Sequence, residues 1–201
     1  MRTELHCEVA RIANRPIRLR LRRIAGIVIV LGCMNLAAPR GALAQGALPE
    51  YEVKAAYLYN FLKFVEWPEH TFADSLAPIV IGIVGGDPFG SSLPQVVIGK
   101  TIQGRDLVIR EYREGENLRG AQILFINTSE KKYLRQILAG LRGASVLTVA
   151  DMSGFVEEGG MIEFLSEDNH VRFAINVDAA NKAHLKISSR LLSLARVVGT
   201  P

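Results

Sequence analysis

Few residues in this chain are spaced for chemistry. Outside the first 44 residues there are three histidines, His70, His170 and His184, and none stands at metal-ligand spacing from a Cys, Asp or Glu. Asp168 and His170 lie two apart in a polar turn, where solvated surface residues are expected. His184 lies between Lys182 and Lys186, a pattern that predicts a solvated cationic edge. Glu157-Glu158 and Glu163 are carboxylates with no acid or base partner in reach of the sequence pattern. There is no Gly-x-Ser-x-Gly elbow, and Ser153-Gly154 lacks the strand-to-helix setting that exposes a nucleophile. Gly85-Gly86-Asp87-Pro88-Phe89-Gly90 does follow a strand, where α/β folds often hold phosphates. Asp87 occupies the place of a second glycine, however, and its carboxylate would repel an anion there. These patterns predict no catalytic group, no metal and no cofactor.

The elements that would position any site begin after a leader. Residues 1–23 carry seven arginines, an apolar run from Ile24 to Ala38 follows, and Ala42-Leu43-Ala44 has the small-x-small form of an export cleavage site. A signal peptide over 1–44 is expected, with a short linker over 45–49 and a single domain over 50–201. The apolar run is shorter than a membrane span. Val30-Leu31-Gly32-Cys33 leaves a lipoprotein, acylated on Cys33, as the alternative. The leader holds eight of the 24 Lys and Arg but two of the 20 Asp and Glu, so residues 45–201 have 16 against 18, a net charge of −2. The basic character of the whole chain therefore belongs to the leader, which argues against nucleic acid as a partner. Both cysteines, Cys7 and Cys33, also lie there, so the domain must be stable without disulfides.

Within the domain, a helix is expected from about Glu50 to Glu66, with Glu52, Asn60, Lys63 and Glu66 on one polar arc and aromatic and aliphatic residues around the rest. Pro68 ends it and turns the Trp67 indole towards a partner for its N–H. The continuous apolar run at 79–84 predicts a strand buried on both faces, 121–126 a second buried strand and 145–150 another apolar strand. Asp87-Pro88 predicts a helix start leading through Phe89 to Val97, Leu107 to Ile109 a strand, and Ser129 the cap of a helix over 130–141. Met161 to Leu165 and Val171 to Asn176 form a strand pair, and a short helix from Asp178 precedes a longer one capped by Ser188. Alternating strands and helices predict an α/β three-layer sandwich, its sheet largely parallel with an antiparallel edge and helices on both faces.

Val53-Lys54-Ala55-Ala56-Tyr57-Leu58-Tyr59-Asn60-Phe61, Phe64-Val65-Glu66-Trp67-Pro68, Gly99-Lys100, Gly104-Arg105, Leu147-Thr148-Val149, Gly159-Gly160-Met161-Ile162, Phe173-Ala174-Ile175-Asn176 and Ser188-Ser189-Arg190-Leu191-Leu192 together resemble the YfiR/HmsC-like family. The resemblance runs from about residue 50 to 198. It implies a non-enzymatic periplasmic repressor that binds the sensor domain of an inner-membrane diguanylate cyclase and lowers cyclic di-GMP and biofilm formation. An outer-membrane lipoprotein that sequesters the repressor and a homodimer are implied with it. Better-known members have disulfides in the mature domain, which this chain lacks, so redox control is not carried over. Apolar residues in a Gly-rich segment single out Phe155, Met161 and Glu163 for partner contact, and Tyr59, on the polar arc of the first helix, for a dimer or partner face. The rival expectation is a periplasmic small-ligand-binding domain with its ligand near Gly85 to Phe89.

Overall fold

The structure, a computed structural model, describes residues 50–199. The expected signal peptide and linker, and both cysteines, lie outside these residues. Three predominantly apolar runs become the centre of the sheet: β2 (Ile79–Val84), β5 (Ile123–Ile126) and β6 (Leu147–Ala150) pair in parallel. Their side chains alternate between two cores. Ile81, Ile83, Ile123, Phe125, Leu147 and Val149 point to one face, and Val84, Leu124, Ile126, Val146 and Ala150 to the other. Both faces are therefore apolar, as such runs require.

The first face is covered by α1 (Glu50–Phe64) and α2 (Ser92–Val97), the second by a 3-10 segment over Thr128–Tyr133 that continues into α3 (Leu134–Gly140). Outward from the centre lie β4 (Arg105–Tyr112), parallel to β2, and β3 (Thr101–Ile102), antiparallel to β4. On the other side β7 (Ile162–Glu167) is parallel to β6, and β8 (His170–Asn176) turns back antiparallel to β7. The chain closes through α4 (Val177–Lys182), β9 (Lys186–Ile187), α5 (Ser189–Leu192) and β10 (Arg196–Val198). The eight-stranded order is β10-β8-β7-β6-β5-β2-β4-β3. This is the expected three-layer α/β architecture with a largely parallel sheet.

Several boundaries differ from expectation for local reasons. Helix α1 stops at Phe64 because Val65 and Glu66, as β1, pair with Ile187 and Lys186 of β9. The Trp67 indole N–H, as expected, finds an acceptor, the carbonyl of Gln122 at 3.1 Å. Asp87 does cap, but it accepts from the Phe89 N–H across a turn, and α2 begins only at Ser92. Asn127, not Ser129, caps the segment before α3, its Oδ1 accepting from the Ser129 N–H. The final helix is only four residues long, and the residues after its turn form β10, placed outside the antiparallel pair.

Helix α1 buries one stripe, Lys54, Ala55, Leu58, Phe61 and Leu62, with half-buried aromatics on its flanks. Tyr57 and Phe61 pack against Phe164 and Phe173 with ring centroids 5.2–6.1 Å apart. On the opposite face, Gly82 leaves the space that Leu124 and Tyr112 fill, since a Cβ there would lie 2.7 Å from Leu124 Cδ1 and from Tyr112 Cε2. Both neighbours are buried and cannot give way freely. Gly82→Ala is therefore expected to destabilise the protein by about 1–3 kcal/mol, read as a lower denaturation midpoint with an unchanged slope.

Candidate functional site

Residue types and burial together draw attention to the carboxyl ends of the parallel strands. Asp151 directly follows β6, and its carboxylate is met by three side chains from two elements, α1 and the 3-10 segment. Tyr51 donates its hydroxyl to Oδ2 at 2.7 Å, Lys54 donates Nζ to the same oxygen at 2.9 Å, and Thr128 donates Oγ1 to Oδ1 at 3.1 Å. Lys54 also pairs with Glu50 one turn earlier, at 2.6 Å, while its own side chain keeps only 6% of its surface exposed. Its ammonium lies 4.5 Å from the centre of the Tyr51 ring and 5.8 Å from that of Phe164.

Burial alone would raise the Asp151 carboxyl above its ordinary pKa, but the hydrogen bonds from Tyr51 and Lys54 and the charge of Lys54 outweigh it, so the group is held below its usual range. Burial, followed by the bond to Asp151, pushes the Tyr51 hydroxyl upward. At neutral pH Asp151 is therefore a carboxylate and Tyr51 a protonated phenol, hydrogen-bonded to each other. Every polar atom of this set has a structural partner, which suits an anchor joining α1 to the end of β6.

Asp151 also opens the loop that leads into β7, and the sequence-selected residues lie in or under it. Phe155 has no exposed surface, Met161 is 8% exposed and Glu163 is 3% exposed. Glu163 projects from β7 beneath the loop, where its two carboxylate oxygens accept the Gly154 and Val156 N–H groups at 3.2 Å. The Met161 N–H donates to Thr148 Oγ1, and the Gly160 N–H to the Phe155 carbonyl. Gly160 has to be glycine, since a Cβ would fall inside the Phe155 ring. In this conformation the three residues hold the loop from within. Its outward surface is Ser153, Glu157, Glu158 and Gly159, with Glu158 paired to Arg135 of α3.

Tyr59 is distant from this loop in its role. It is half-buried on α1, with the ammonium groups of Lys100 and Lys63 at 4.5 and 5.3 Å from its ring centre. The turn after β2 spends its polar groups internally: Ser129 Oγ donates to the Gly85 carbonyl and Asn127 Nδ2 to that of Gly86. A groove of about 770 Å3 lies elsewhere, between α3, α4 and the loop, with Thr148, Met161 and Asn176 among its lining. Among the described residues no cluster of three His, Cys, Asp or Glu is placed to hold a metal, and no helix is long and apolar enough to cross a membrane.

Sequence reasoning missed Lys54 and Asp151. Lys54 sits on the apolar stripe of α1, one residue from Ala55 and four from Leu58, and a charge at such a position was the available signal for a buried partner.

Two outcomes follow from this geometry. Asp151→Asn keeps the shape but removes the charge opposite Lys54, and should cost about 1–3 kcal/mol at pH 7. Because Asp151 is held below its unfolded pKa, its stabilisation is present at neutral pH and lost as the pH falls below about 4. The difference between the parent and Asp151→Asn in thermal unfolding should therefore shrink on acidification. Glu163→Ala strips the acceptors from two loop N–H groups and should cost about 1–3 kcal/mol, with faster hydrogen exchange concentrated in 153–160. Glu163→Gln, which keeps one acceptor oxygen, should recover part of that loss.

Comparison with known proteins gives the following. A family model described as YfiR/HmsC-like matches residues 51–196. No curated protein matches the chain. Among solved structures, one similar chain is a conserved domain protein from Vibrio cholerae, 12% identical with a TM-score of 0.48, covering 75% of this chain. The chain spans 60% of the length of that protein.

Proposed function

From the premise that this chain belongs to the YfiR/HmsC-like family, we propose that it is a periplasmic regulatory protein that binds the sensor domain of an inner-membrane diguanylate cyclase and represses it. Cyclic di-GMP and biofilm formation fall as a result. The observation that carries this reading is the family match over 51–196, nearly all of the described domain. The export leader expected over 1–44 would deliver the chain to that compartment. An outer-membrane lipoprotein that sequesters the chain, and a homodimer, belong to the same proposal.

The geometry of the loop after β6 suits recognition rather than turnover. Asp151 and Glu163, its two buried carboxylates, are committed on both oxygens to internal donors. A loop held this firmly presents Glu157 and Glu158 in a fixed place, which lowers the entropic cost of meeting a partner. In this proposal Phe155, Met161 and Glu163 shape the contact from beneath it, and Tyr59 marks a second face. Repression then acts by population shift: a repressor that binds the inactive sensor conformation about tenfold more tightly than the active one biases it by about 1.4 kcal/mol.

A second reading has its own support. The 770 Å3 groove falls within the usual size of small-ligand sites, roughly 300–1,000 Å3. A periplasmic ligand-binding domain would place its ligand there, away from Gly85 to Phe89.

The deciding measurement is cellular cyclic di-GMP in a strain deleted for this chain and complemented by exported and leaderless forms. The level is expected to rise on deletion and to be restored by the exported form alone. No change under several growth conditions, together with a metabolite that raises the melting temperature of the purified chain, would favour the ligand-binding reading.

A further inference from the structure

The charge of the domain is divided unevenly along the chain. Residues 179–201 contain Lys182, Lys186, Arg190 and Arg196 and no Asp or Glu, a charge of +4, whereas residues 45–178 hold 12 Lys and Arg against 18 Asp and Glu, a charge of −6. All four cations are exposed, and none takes part in an ion pair among the described residues. Lys186 lies across the β1–β9 ribbon from Glu66, and Lys182 is one helical turn from Asp178. Arg190 and Arg196 have no acid among their neighbours in sequence or strand register.

These two arginines flank an apolar tip. Ser188 caps α5 through the Leu191 N–H, Leu191 is buried, and the chain then turns through 193–195 into β10. The turn leaves Leu194 70% exposed, and Val197 on β10, a strand bonded on one side only, is 40% exposed. The turn is held by the N–H groups of Leu194 and Ala195 on the carbonyls of Leu191 and Leu192, so the Leu194 side chain is displayed by a built structure.

We propose that this edge, Arg190, Leu194 and Arg196, is a contact for an anionic phospholipid surface. Guanidinium groups bind phosphate in a bidentate manner, and an aliphatic side chain at the apex of a turn can enter the headgroup region between them. The charge of +4 over residues 179–201 favours approach of this edge to a negative surface. An acidic protein segment is the competing occupant. The exposed leucine between two arginines favours lipid, because it supplies the apolar half that an interface between water and acyl chains requires. The proposal is independent of the repressor reading, though it would hold such a repressor beside a membrane partner.

The test is co-sedimentation of the chain, recovered from the periplasm, with vesicles of phosphatidylethanolamine and phosphatidylglycerol. Vesicles of phosphatidylcholine alone serve as the neutral control. Binding is expected to the anionic vesicles only and to weaken as salt shortens the screening length. Each arginine should contribute about fivefold, so Arg190→Gln with Arg196→Gln should lower partitioning about 25-fold. Leu194→Ser should lower it with the salt dependence unchanged. All three positions are exposed, so near-normal melting temperatures check folding. Equal binding of parent and variants, or no binding to anionic vesicles at low salt, overturns the proposal. So does loss of capture by a cyclase sensor domain in variants that still bind vesicles normally, which would make the edge a protein contact.

Discussion

A lysine on the buried stripe of a helix has to be neutralised where it lies, and much of this structure depends on how Lys54 is. Its ammonium is enclosed by the Tyr51 and Phe164 rings and meets one carboxylate from its own helix and one from the end of β6. Removing either charge from such a pair strands the other in a poor solvent, which is why buried pairs are costly to break even where they add little net stability. The pair therefore acts mainly as a specification. It allows α1 one position along the sheet and one rotation about its axis, with Phe61 and Leu58 in the core and Tyr57 against Phe164 and Phe173.

The same carboxylate is the first residue of the loop between β6 and β7, so the position of the helix is passed on to the loop. From there a second carboxylate, Glu163, takes over, holding Gly154 and Val156 from below, while Phe155 fills the space under Gly160. Apolar residues in a Gly-rich segment suggest an exposed contact surface, and here Phe155 and Met161 are buried beneath the loop instead. What the loop exposes is Ser153, Glu157, Glu158 and Gly159.

The strands were largely legible because they are runs of mostly apolar residues: a run with so few polar breaks needs cover on both faces, and 79–84, 123–126 and 147–150 have it, the one polar residue among them, Thr148, being buried too. The Trp67-Pro68 turn was legible for the same kind of reason, since proline restricts its predecessor and a buried indole must donate. Helix starts were less so. Asn127 and Ser129 are both good capping residues, and the choice between them rests on Asn127 Nδ2 reaching the Gly86 carbonyl, a contact across 41 positions that no local pattern contains. The short last helix failed for a related reason, because Arg196 to Val198 become a strand only when β8 is beside them. The Lys54 and Asp151 pair lies 97 positions apart, and although a lysine on the apolar stripe signals a buried partner, no local pattern says which acid it meets.

The two-residue ribbon of β1 and β9 carries a consequence for how the chain is made. Val65 and Glu66 leave the first helix and wait for Ile187 and Lys186, which belong to the last stretch of the domain. A chain delivered N-terminus first, whether from a ribosome or through a translocon, thus holds an unfinished first helix end until residues 186 and 187 have emerged. Pairings this distant slow folding because the intervening loop must close before the contact gives any return. During that interval Val65 and the end of α1 have no strand to close on, and Ile187, Leu191 and Leu192 are missing from the core they help to cover, so exposure to aggregation and to chaperones lasts until residues 186–192 are in place.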